Sequence, residues 1–109
     1  ASRNIKIVCD SKEQISRIPG LMSDFGLSDC VSRKVRNLSG GMKRRVAIIR
    51  ALLSSHDLLI MDEPFKGLDE TTRLAVMHSV RKETPEDTIL MITHDISEAE
   101  FFNAEIINL

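Results

Sequence analysis

The chain has 109 residues, 42% of them hydrophobic and 28% charged, with a formal net charge of -1. That length holds one compact domain and not two, and the composition excludes default disorder. The near-neutral balance gives no global attraction to nucleic acid or to an anionic membrane. Two cysteines, Cys9 and Cys30, stand in no CxxC or histidine-linked spacing. A disulfide scaffold and a zinc site are therefore not expected, and a reducing cytosol suits the chain best. No apolar run approaches the ~18–20 residues needed to span a bilayer.

In chain order, residues 5–8 (Ile-Lys-Ile-Val) are an apolar stretch of ambiguous type. From 11 to 27, Ile15, Ile18, Leu21, Met22 and Phe25 recur at helical steps. Pro19-Gly20 predicts a break there and two short helices. The Leu38-Ser39-Gly40-Gly41 stretch precedes a helix over 42–54, with Met42, Val46, Ile49 and Leu53 as its apolar stripe. Around that glycine pair Arg33, Lys34, Arg36, Lys43, Arg44 and Arg45 form a basic cluster, either a solvated face or an anion-facing one.

Residues 58–61 are continuously apolar, which predicts a parallel strand buried on both faces and stopped by Pro64. Asp69 can cap a helix over 70–82 that turns Leu74, Met77 and Val80 inward. A turn at 84–87 leads to a second buried-type strand over 88–93, a short helix near 97–102 and a last strand over about 105–108. Strand, helix, strand, helix, strand predicts an α/β fold with a largely parallel sheet of about three strands, preceded by a helical lobe over the first 37 residues.

Asp62 and Glu63 end the first strand, at the edge where open α/β sheets place ligands. One carboxylate there can hold a hydrated Mg²⁺, and the next can orient or deprotonate an attacking water. Two solvated acids in a turn would look the same. Ser39, Gly40 and Gly41 open a helix, where free amides and a hydroxyl suit phosphate oxygens, but a plain serine cap has the same residues. His94 follows the second strand, within reach of a γ-phosphate, though a lone histidine there is commonly a loop residue. His56 and His78 suggest nothing beyond a turn and a helix surface.

Order and spacing decide what single motifs leave open. LSGGM at 38–42, LLIMDEP at 58–64, GLD at 67–69 and ITHD at 92–95 together resemble the ATP-binding-cassette ATPases. In that resemblance residues 38–42 are the signature motif, 58–63 the Walker B strand, 67–69 the D-loop and His94 the switch histidine. The wording MDEPFKGLD and THDISEAE is most similar to nucleotide-binding subunits of bacterial nitrate, sulfonate and taurine importers.

The resemblance implies ATP and Mg²⁺ as ligands, with Asp62 at the metal through water and Glu63 and His94 as catalytic groups. It gives Ser39, Gly40 and Gly41 the ATP phosphate of a second nucleotide-binding domain, in trans, and Asp69 communication between sites. A permease subunit would be the membrane partner, placing the protein peripherally at the cytoplasmic face, without insertion and without nucleic acid. Residues 1–37 are then a helical subdomain segment and 38–109 the C-terminal half of the ATPase core.

No stretch approximates the phosphate loop G-x-x-x-x-G-K-[ST], and Asn4-Ile5 resembles the point just after the family's glutamine loop. The 109 residues alone are thus expected to bind MgATP very weakly and not to hydrolyse it. The second strand would have an open edge, which predicts marginal stability, self-association or completion by another segment. Two rival readings remain: a non-catalytic half-domain lending its signature motif to a complete partner, and an ATPase of this family outside transport.

Overall fold

A computed structural model describes residues 1–107. The order of elements is α1 (Ser2–Lys6), α2 (Lys12–Asp24), two 3₁₀ turns (Ser28–Cys30 and Val35–Asn37), α3 (Gly40–Leu53), β1 (Leu58–Asp62), α4 (Glu70–Glu83), β2 (Thr88–Ile92) and α5 (Ile96–Phe101). The α/β reading holds. The ambiguous stretch at 5–8 contributes to α1 rather than to a strand.

Helix α2 starts with a capping box: the Ser11 hydroxyl accepts from the Gln14 amide, and the Gln14 side chain accepts from the Ser11 amide. It then runs unbroken through Pro19, contrary to the predicted split. Proline removes one helical hydrogen bond, but Ile18, Leu21 and Met22 around it are buried. Burying each is worth about 1.5–3 kcal/mol, enough together to outweigh the ~3 kcal/mol cost of an interior proline. Gln14 also donates to the Leu53 carbonyl at 2.7 Å, and Arg17 pairs with Glu83, which ties α2 to α3 and α4.

β1 and β2 are parallel, with Leu58 opposite Thr88, Ile60 opposite Leu90 and Asp62 opposite Ile92. Among the described residues the sheet has these two strands. The third strand expected at 105–108 is not formed over 105–107, and Asn108 lies outside the described residues. Burial of both faces is also corrected. Leu59 and Met61 enter the core with Val46, Ile49 and Leu53 of α3 and Val76, Met77 and Val80 of α4. Leu58, Ile60, Leu90 and Ile92 stand on the other face and are about half exposed. Leu74, expected inward, is exposed as well.

The loop after α3 is fastened to the loop before β2. His56 Nδ1 lies 2.8 Å from the Ser54 carbonyl, and Nε2 lies 2.6 Å from an Asp87 carboxylate oxygen. That hydrogen bond to Asp87, with the carbonyl and the Asp57 charge assisting, raises the His56 pKa above its ordinary 6.5. A raised folded-state pKa stabilises fully below the unfolded value and is lost as pH rises through the folded one. The urea midpoint is therefore expected to fall from pH 6 to pH 8.5, and His56→Gln should remove this component of the fall. An identical pH profile for the variant would show that the clamp contributes nothing.

Candidate functional site

The parallel register brings the site together. Asp62 and Ile92 are the last paired residues, so the chain leaves both strands at the same level and Glu63 emerges beside Thr93 and His94. The Glu63 amide extends the ladder by one rung, donating to the Ile92 carbonyl at 2.8 Å, and its own carbonyl accepts from Lys66. Between these two bonds Glu63 is held at φ 48°, in the left-handed region that a side chain of this size rarely adopts. Such a conformation costs about 1–3 kcal/mol and persists only where the surroundings over-determine it.

His94 Nε2 lies 3.1 Å from Glu63 Oε1. The approach is within ion-pair reach but outside hydrogen-bond geometry, so the buried Oε1 has no hydrogen-bond donor among the described residues. A buried acceptor without a donor costs about 1–3 kcal/mol. The arrangement fits a carboxylate whose partner comes with a substrate. The His94 ring is 93% exposed, whereas the Glu63 side chain is 25% exposed. Both line an open cleft of about 620 Å³ with Lys66, Gly67, Arg73 and Thr93. A smaller hollow of about 250 Å³, lined by Val8, Ala47, Arg50, Ala51 and Ser54, has no acid or imidazole and no comparable chemistry.

Asp62, at the end of β1, is exposed, and its carboxylate has no hydrogen bond or ion pair among the described residues. Those residues contain no cluster of three metal-ligating side chains. The carboxylate still fits Mg²⁺, which keeps several waters and takes one or two protein carboxylates alongside substrate phosphates.

Asp69 caps α4, accepting from the Thr72 amide at 3.3 Å, and hydrogen bonds from Thr72 lower its pKa below the ordinary value. Before it, Gly67 sits at φ +81°, and a Cβ there would meet only the Arg44 guanidinium at 3.8 Å. The glycine is required by the backbone and not by crowding. Gly67→Ala is expected to destabilise by about 1–2 kcal/mol, read as a lowered urea midpoint. No change would mean the turn relaxes to another conformation.

Ser39, Gly40 and Gly41 begin α3 as predicted. Ser39 Oγ accepts from the Met42 amide at 3.2 Å, while the amides of Gly40 and Gly41 have no acceptor among the described residues. A Cβ on either glycine would meet nothing within 4 Å. Gly20 is equally open, so space alone does not mark a site. What distinguishes Gly40 and Gly41 is the pair of free amides at a helix start. Of the basic cluster, Arg45 donates to the Phe25 carbonyl at 2.8 Å and Arg44 to the Lys66 carbonyl. These two are therefore structural links from α3 to its neighbours.

Sequence reasoning missed Arg73 and Glu98. Arg73 on α4 donates to Glu98 at 3.2 Å, to Asp95 and Ser97 at 3.0 Å each, and to Glu70. Glu98 is buried, with its other oxygen accepting from the Thr93 hydroxyl. Twenty-five residues separate the pair in sequence, and no spacing rule links them.

With this geometry in place, comparison with known proteins identifies the class. The family model described as ABC transporter matches residues 2–66, and the chain belongs to that family. The chain is 40% identical over 90 residues to the thiamine import ATP-binding protein ThiQ of Histophilus somni, covering 81% of this chain and 42% of that protein. It is 40% identical over 91 residues to the aliphatic sulfonates import ATP-binding protein SsuB 1 of Rhodococcus jostii, covering 82% of this chain and 37% of that one. A solved structure of an ATP binding subunit of an ABC transporter superposes with a TM-score of 0.76 at 31% identity, over 93% of this chain and 43% of that one. The chain thus spans less than half the length of each. Among the described residues no helix is long and apolar enough to cross a membrane.

Proposed function

We propose that these residues are the signature, Walker B, D-loop and switch-histidine part of an ATP-binding subunit that drives solute import through a membrane permease. The observation that carries this reading is the Glu63–His94 pair at the ends of two adjacent parallel strands, with a buried carboxylate oxygen that has no donor of its own. Glu63 orients and deprotonates the attacking water, and His94 steadies that carboxylate and the γ-phosphate. Asp62 would hold Mg²⁺ through water, the ion supplying charge neutralisation at the phosphates. The free amides of Gly40 and Gly41, with the Ser39 hydroxyl, serve the phosphate of a second nucleotide-binding domain, and Asp69 at the head of α4 links the two sites.

On this reading residues 1–37 are a helical subdomain segment and 38–109 part of the ATPase core. The exposed face of Leu58, Ile60, Leu90 and Ile92 then packs against the remainder of that core. A dimer of such domains docks on a permease at the cytoplasmic face of the membrane, with no nucleic acid involved. The solute is chosen by other chains.

The test supplies what the 109 residues do not contain. A segment carrying the family's phosphate-loop motif G-x-x-x-x-G-K-[ST] is fused ahead of residue 1. The fusion is expected to hydrolyse MgATP and the chain alone is not. A folded fusion without turnover, or turnover by the chain alone that Glu63→Gln abolishes, would overturn the assignment.

A further inference from the structure

His94 has almost no packing of its own, so something else must place it beside Glu63. With 93% of its side chain in solvent, the ring inherits its position from the backbone of residues 93–95. Both neighbours of His94 in that turn are anchored. The Thr93 hydroxyl donates to Glu98 Oε1 and accepts from the Asp95 amide at 3.0 Å, closing the turn on itself. Glu98 Oε2 accepts from Arg73 Nε at 3.2 Å, and Arg73 Nη2 donates to the Asp95 carboxylate at 3.0 Å. One guanidinium on α4 therefore grips the turn on both sides of the histidine, once directly and once through Glu98. Helix α4 is the helix that Asp69 caps.

We propose that Arg73, Glu98 and Thr93 are positioning residues that set the distance between His94 and Glu63 and couple it to helix α4. The side chains of the three make their hydrogen bonds to one another and to Glu70, Asp95 and Ser97 rather than to His94 or Glu63, so each acts through the turn that carries His94. A buried carboxylate with both oxygens committed, one to a cation and one to a hydroxyl, holds a single geometry where a mobile loop would hold many. Movement of α4 is thereby transmitted to the imidazole, while Glu63, fixed by its own bond to Ile92, stays in place.

The inference rests on the reading of Glu63 and His94 as the hydrolytic pair, but its test does not. In the isotope-labelled 109-residue chain without nucleotide, magnetisation transfer between the His94 ring protons and the Glu63 methylenes reports the pair. Exchange of the Asp95 amide with solvent reports the turn. Thr93→Val keeps the shape of the side chain and removes both hydroxyl bonds, whereas Thr93→Ser keeps them. Thr93→Val and Glu98→Ala are expected to abolish the transfer and to speed Asp95 exchange by about tenfold, with the amides of Val76 and Val80 in α4 unchanged. Thr93→Ser is expected to behave as the unsubstituted chain. If Glu98→Ala fails to fold, the Thr93 pair decides alone. Transfer that survives in Thr93→Val, is lost equally in Thr93→Ser, or is absent from the unsubstituted chain would overturn the proposal. None of these outcomes depends on hydrolysis, which Glu63→Gln tests separately.

Discussion

Replacing Glu63 by Gln in the completed ATPase domain is expected to lower MgATP hydrolysis by about 10²–10⁴-fold and leave MgATP affinity nearly unchanged. The amide matches the carboxylate in size and keeps the backbone bond from position 63 to the Ile92 carbonyl, so the site's shape survives. What is lost is the capacity to accept a proton from water. The loss corresponds to about 3–5 kcal/mol of barrier, within the range expected of one general base. Steady-state phosphate release with a parallel nucleotide-binding titration checks both halves. Hydrolysis within tenfold of the parent would remove Glu63 from the role of base and leave it a structural acid.

Phe65→Ala is expected to destabilise the fold by about 3–5 kcal/mol. Phe65 is 2% exposed and stacks on Phe102, with centroids 6.0 Å apart and planes 7° from parallel. Phe102 in turn meets Phe101 edge to face, and Arg81 lies over the Phe101 ring at 4.2 Å. The residue thus fastens the loop after Glu63 to the end of α5 and, through it, to α4. Single domains are stable by about 5–15 kcal/mol, and a chain with one sheet face half exposed belongs low in that range. Urea unfolding followed by circular dichroism measures the change. A destabilisation under about 1 kcal/mol would mean that the loop collapses into the space the ring leaves.

The strands and the place of the candidate site were legible in the sequence for the same reason. The apolar runs ending in Asp62 and Thr93 mark where the chain leaves a parallel sheet, and Glu63 and His94 stand at that exit. The reading failed where tertiary packing overrules a local signal. Pro19 signals a break, but the buried side chains around it hold α2 in one piece. Apolarity on both faces of 58–61 states what surroundings the strand is made for, while the 107 described residues cover one face only. The Arg73–Glu98 pair was invisible because folding alone joins positions on different helices. Gly40 and Gly41 were recognisable by motif, yet only the structure shows that their side-chain positions point into open space.

The backbone at Glu63 has a consequence for descent. At φ 48° the position favours asparagine, aspartate or glycine over glutamate on conformational grounds alone. On the proposed role of Glu63 as the hydrolytic base, selection for hydrolysis and selection for folding pull in opposite directions at this one residue. In a copy of the gene released from the need to turn over nucleotide, drift at position 63 is expected to run toward those three residues, each step making the protein firmer as it becomes inert. A survey of paralogues should find Asn, Asp or Gly enriched there wherever hydrolysis has lapsed, and a library selected only for thermal resistance should discard the glutamate early.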